Sequence, residues 1–96
     1  MSHYNIPLIL EQQLRGRDKK CVYCGKIFEN DATIEHINND AADISLENLA
    51  IACNACNASK GTKTLTIWLK SDYCRSKKIR FDTVADVIKN ALQKDL

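Results

Sequence analysis

Two Cys-x2-Cys knuckles, Cys21 with Cys24 and Cys53 with Cys56, stand 28 residues apart and limit the possible folds more than anything else in the chain. Each knuckle can present two thiolates to one ion from a tight turn, and Gly25 directly after the first pair assists that turn. Tetrahedral zinc takes four such soft ligands. A chain of 96 residues buries only about 60% of its unfolded surface, or slightly more, so a metal clip between distant segments supplies folding energy that a small core lacks. Two disulfides or a redox Cys-x-x-Cys are the rival readings. A redox motif needs no second copy, and an odd count of five cysteines with no export signal points to a reducing cytosol. The expectation is structural Zn²⁺ on Cys21, Cys24, Cys53 and Cys56. Cys74 falls outside the pattern and is assigned no role.

The opening "MSHYNIPLILEQQL" has no basic n-region, a short apolar run and no small-residue cleavage site. No apolar stretch is long enough to span a bilayer, and a cytoplasmic protein of one domain over residues 1–96 is expected. Net charge is only +2, but it is unevenly spread. Six acids and no Lys or Arg lie between Glu29 and Glu47; Lys60, Lys63, Lys70, Arg75, Lys77, Lys78 and Arg80 then face the single Asp72. Such a basic block can neutralise phosphates, although a charge run also serves simply as a solvated face.

Hydrophobic spacing predicts helices over about 6–15, with Pro7 at its start and Gly16 at its stop, over about 64–74, and over about 82–95 with Asp82 as cap. Their apolar stripes, Trp68 included, read as core. Between them "KIF", "ATIEHI" and "NLAIAC" read as short strands, "NNDAADIS" as a loop, and "NACNASKG" as a short helix ended by Gly61.

The interval between the knuckles exceeds the 15 to 20 residues or so of common zinc ribbons, so it holds more than a turn. A four-Cys zinc is coordinatively closed, and catalysis would require a second, open metal position. Glu35 offers a hard oxygen, and Asn57, rigidly placed beside Cys56, offers an amide oxygen; together they suit Mg²⁺ or Mn²⁺. A neutral His36 is a good general base near neutral pH. Adjacent strand side chains point to opposite faces, so Glu35 and His36 share a site only if the strand bends or ends there. Asn48 could orient the imidazole or tie the loop to it. Taken singly, each of these residues has an ordinary structural explanation.

Taken in order, "CVYC…TIEH…LENLAIACNACNASKG" resembles the HNH endonuclease family in its form with a four-cysteine zinc, over about residues 21–61. The resemblance implies an α+β fold, a small zinc-stapled ββα-metal core with flanking N- and C-terminal helices. It implies His36 as general base, Glu35 and Asn57 as ligands of the catalytic ion, Asn48 as the residue that fixes the His36 side, and DNA as partner and substrate of phosphodiester hydrolysis. The basic residues from Lys60 to Arg80 become candidate DNA contacts. Two departures from the family pattern are Glu35 where Asp is frequent and Asn57 in place of His, which leaves one charged protein ligand and lowers the expected metal affinity. One such site nicks one strand per visit, so double-strand cutting would call for a dimer or rebinding. The alternatives are a zinc-stapled nucleic-acid-binding module without nuclease activity, and a zinc-dependent protein adaptor using the acidic stretch.

Overall fold

Alternation along one hairpin organises the molecule. In the computed structural model, which describes residues 6–94, strands β1 (Ala32–His36) and β2 (Leu49–Cys53) pair antiparallel, from Ala32 opposite Cys53 to His36 opposite Leu49. With a side-chain period of two, Leu49 and Ile51 of β2 face one side and Ala50 and Ala52 the other. The first side, with Ile34, packs against Leu14 and Leu10 of α1 (Leu8–Arg17). The alanine side joins the cysteine knuckles, Tyr23, Trp68, Ile79, Val84 and Ile88 in the larger core. Helix α2 (Asn54–Lys60) leaves β2 without a linker and lies against both strands, then stops at Gly61, whose φ of +53° favours a residue without Cβ.

The remaining edge of β2 is closed by α1 and the first knuckle. The buried Asp18 accepts a hydrogen bond from Ile51 N at 3.0 Å, and Val22 N donates to Ile51 O at 3.2 Å. Arg17 grips both oxygens of Asp18 at 2.7 and 2.8 Å and reaches the carbonyls of Leu46 and Leu49. These contacts satisfy backbone groups that an open strand edge would leave unpaired. They also explain why α1 runs past Gly16 to Arg17: its last turn must deliver Arg17 and Asp18 to the sheet.

Three sequence expectations shift. "KIF" forms no strand among the described residues but a single bridge, Lys20 to Ile27, because the knuckle turn closes too tightly, with Cys21 N on Lys26 O at 2.9 Å and Gly25 at φ +75°. The helix expected over 64–74 divides into α3 (Leu65–Trp68) and α4 (Asp72–Lys77). Ser71 causes the break, accepting from Cys74 N at 3.3 Å as an N-cap, and the reset lets both Trp68 and Cys74 turn inward. The last helix, α5 (Asp86–Lys94), starts at Asp86 rather than Asp82. Thr83 and Val84 instead close a turn on Arg80, Val84 N reaching Arg80 O at 3.3 Å, and Ala85 N then donates to Val22 O at 2.9 Å before the helix begins. Residue 95 of the expected helix lies outside the described residues. No helix among them is long and apolar enough to cross a membrane.

Trp68 joins the helical half of the core to the cysteine-knuckle half. It is fully buried, meets Tyr23 edge-on at 4.8 Å and donates from Nε1 to Ser59 Oγ at 3.0 Å. Replacing it by Ala removes that packing and orphans no charge, so Trp68→Ala is expected to cost about 3–5 kcal/mol, read as a lower urea midpoint of the metal-loaded protein.

Candidate active site and metal centre

The four knuckle sulfurs lie within 4.8 Å of one another, Cys24 Sγ and Cys53 Sγ at 3.9 Å. Zinc–sulfur bonds of about 2.3 Å in a tetrahedron require sulfurs about 3.8 Å apart, so the cluster fits one ion with little movement. Its electrostatics point the same way. A hydrogen bond from Cys56 draws the Cys21 thiol down to about 4, while that same contact pushes Cys56 far up. Thiols this close share protons unless a cation takes their place. Outer donors are already arranged around the cluster: Cys56 N reaches Cys53 Sγ at 3.4 Å, and the Tyr73 hydroxyl reaches Cys56 Sγ at 3.2 Å. Tyr73 is itself placed by stacking on Trp68, with Lys77 Nζ 5.7 Å from its ring centre. The four cysteines are therefore positioned to hold a structural metal, and an all-sulfur set suits zinc.

Strand alternation puts Thr33 and Glu35, opposite Ala52 and Ala50, on the α2 side of the hairpin. There Asn57 of α2 donates from its amide nitrogen to Thr33 Oγ1 at 3.1 Å, and Thr33 in turn donates to Ala52 O at 3.1 Å. The amide nitrogen is thus committed, which turns the Asn57 oxygen into the atom available to a cation. Glu35 is buried. The Tyr23 hydroxyl donates to its Oε2, and the Lys60 ammonium pairs with its Oε1 at 3.2 Å, so that the two oxygens face different partners. Burial pushes the Glu35 carboxyl up, opposed by the Lys60 charge and the Tyr23 hydrogen bond, and burial raises the Tyr23 phenol strongly.

His36 ends β1, and the chain turns at once, with Asn39 N on His36 O at 2.9 Å. Because the strand stops there, Glu35, His36 and Asn57 all border one small cleft of about 160 Å³, with Asn39, Gly61 and Thr62 on its other walls. Burial holds the His36 pKa below its ordinary value, against an upward pull from Asp40 and Asp43. A neutral imidazole follows for the cleft at neutral pH. A larger apolar groove of about 800 Å³ between Leu69, Ile79, Phe81 and Leu92 contains no histidine.

Asn48 does not border that cleft. Its Oδ1 accepts from Asn38 N at 2.9 Å, its Nδ2 donates to Asp43 O at 3.0 Å, and its own carbonyl receives Ile37 N at 2.7 Å. It therefore clamps the backbone of the two residues that follow His36. Lys60, expected among the DNA contacts, has no exposed surface: Glu35 and Asn39 Oδ1, at 3.0 Å, draw its ammonium inward. A fully buried cation cannot meet a phosphate from the surface, so Lys60 leaves that group. Lys63, Lys70, Arg75, Lys77, Lys78 and Arg80 are all exposed. Sequence reasoning missed Tyr23, Asn39 and the inward role of Lys60. The only signal for Tyr23 was its place between the first two cysteines; for Asn39 it was the Asn-Asn-Asp run, a residue type that tolerates the left-handed φ of +66° the structure gives it.

The model of the HNH endonuclease family matches residues 21–63, from the first knuckle through β1, β2 and α2. No curated protein and no solved structure gives a match. The matched residues form an antiparallel strand pair followed directly by a helix, with four cysteines gathered at its base, an arrangement consistent with a ββα-metal core. Purified protein is expected to carry one zinc per chain by elemental analysis. Cys56→Ser should lose it, and chelation should abolish the cooperative melt, because an apo cluster leaves buried thiols and a small core.

Proposed function

We propose that the HNH domain at residues 21–63 makes this chain a metal-dependent endonuclease that hydrolyses DNA phosphodiester bonds. The observation that carries the reading is the convergence of Glu35, His36 and Asn57 on one cleft although strand alternation would separate the first two. Glu35 Oε1, which faces the Lys60 ammonium, and the Asn57 amide oxygen are the atoms that would hold Mg²⁺ or Mn²⁺. When bound, such an ion stabilises charge building on the phosphoryl and leaving oxygens. His36, kept neutral by burial, accepts the proton of the attacking water. Asn48 is a positioning residue that holds the turn behind His36. The exposed cations from Lys63 to Arg80 orient the DNA backbone, contacts that place a duplex without reading its sequence.

Supercoiled plasmid is expected to be nicked or cut with Mg²⁺ or Mn²⁺, and His36→Ala should slow this by about 10²–10⁴-fold; a variant as fast as wild type overturns the assignment. Since a lowered pKa keeps the imidazole neutral to lower pH, the acid limb of the pH–rate profile should fall below the ordinary histidine value of about 6.5. Binding should weaken steeply with salt, and Arg75→Ala with Lys78→Ala should flatten the salt slope by about one for each phosphate no longer neutralised.

A second reading is supported by the Lys60 ammonium beside Glu35: a zinc-stapled nucleic-acid-binding module whose carboxylate is permanently neutralised. It requires salt-sensitive DNA or RNA binding with no cleavage under any divalent ion.

A further inference from the structure

The cleft has an unusual charge balance. Glu35 is the sole carboxylate among its lining residues. Asn57 contributes no charge, and the ammonium of Lys60 sits within the same wall with no surface exposed. The two oxygens of Glu35 are not equivalent. Oε2 is taken by the Tyr23 hydroxyl, so the oxygen left for a cation is Oε1, the one that faces Lys60 at 3.2 Å. Lys60 does not depend on Glu35 alone, because Asn39 Oδ1 accepts from Nζ at 3.0 Å, and Asn39 is itself anchored by its amide nitrogen on Thr62 O at 2.9 Å and Lys63 O at 3.2 Å. The ammonium therefore keeps a fixed partner when its carboxylate turns to another cation.

A hard divalent ion draws its affinity from the count of negative oxygen ligands. A carboxylate already balanced by an internal ammonium offers almost none, and a phosphodiester supplies the missing charge. Resting on the nuclease reading of the same cleft, we propose that Lys60 is the resident cation of the metal site, so that the divalent ion binds together with a DNA phosphate and only weakly without it. Lys60 is thus a positioning residue that withholds the site from free Mg²⁺ or Mn²⁺ and couples its filling to the substrate.

The test measures Mn²⁺ binding, not cleavage. Mn²⁺ is titrated into zinc-loaded His36→Ala protein, whose slowed cleavage should keep the DNA intact through the titration, with and without a short duplex. Free Mn²⁺ is followed by electron paramagnetic resonance, and the binding that survives Glu35→Ala is subtracted. The duplex should tighten Glu35-dependent Mn²⁺ binding by about tenfold or more, and by linkage Mn²⁺ should tighten duplex binding by the same factor. Lys60→Gln, which retains an amide within the wall, should bind Mn²⁺ about tenfold tighter without DNA and lose most of the duplex effect. A purely structural lysine would yield no such gain. Mn²⁺ affinity in the Lys60-bearing protein that agrees within about twofold with and without duplex overturns the proposal, as does a folded Lys60→Gln no tighter than its parent. If Lys60→Gln does not fold, the duplex comparison with Lys60 in place decides alone. Glu35-dependent Mn²⁺ binding that is absent even with duplex sinks the metal site and the nuclease reading with it, whereas duplex-linked binding without plasmid cutting sinks only the latter.

Discussion

Everything in this molecule hangs on the four sulfurs that join the Cys21–Cys24 turn to the β2–α2 junction. The cluster closes the chain at the base of the hairpin. It places Tyr23 of the first knuckle under Glu35 and carries Asn57, one residue beyond the last sulfur, onto the same strand face. Cysteine cluster and cleft are thus neighbours by construction. Helix α2 cannot slide along the hairpin while its first turn is tied by Cys53 and Cys56, and its far end, Lys60 and Gly61, lines or backs the cleft as a consequence.

Rigid placement has an electrostatic cost, and the hairpin meets it with few residues. A buried glutamate is disfavoured by desolvation, yet Glu35 has a phenol on one oxygen and an ammonium beside the other. Removing either charge of such a buried pair leaves the other uncompensated, so the pair constrains the local structure as much as any apolar contact there. The same contacts determine which oxygen is open to chemistry. Asn39 and Asn48 together fix the turn after His36. Asn39 ties it to the end of α2 and Asn48 ties it to the start of β2, and between them a loop of polar residues becomes a defined wall.

The apolar periods marked out the hairpin strands and the N-terminal helix, because a two-residue or 3.6-residue repeat records which face is buried, while α2 was marked by its stop at Gly61. They failed where side chains cap or close turns through contacts without such a repeat. Ser71 split one expected helix by accepting from Cys74 N; Thr83 closed a turn that displaced the start of another to Asp86; and the Asp18 carboxylate, a bland helix-end acid in sequence, completes the edge of β2 at Ile51. The candidate site divides similarly. Glu35, His36 and Asn57 drew notice in sequence through their order between the knuckles and its resemblance to a family pattern, and the structure brings them to one cleft.

Sequence alone determined the two thiol pairs, the polarity of the hairpin, and the residue types that chemistry in its cleft would use, since spacing and side-chain chemistry are local properties of a chain. Only the tertiary structure decided that Lys60 points inward, that Tyr23 holds one carboxylate oxygen, and that Asn48 ties down the backbone of the turn after His36. A lysine in a basic run is by default solvated. Whether it is buried depends on a carboxylate 25 residues earlier arriving opposite it, which follows from strand register and helix docking and is encoded in no local pattern.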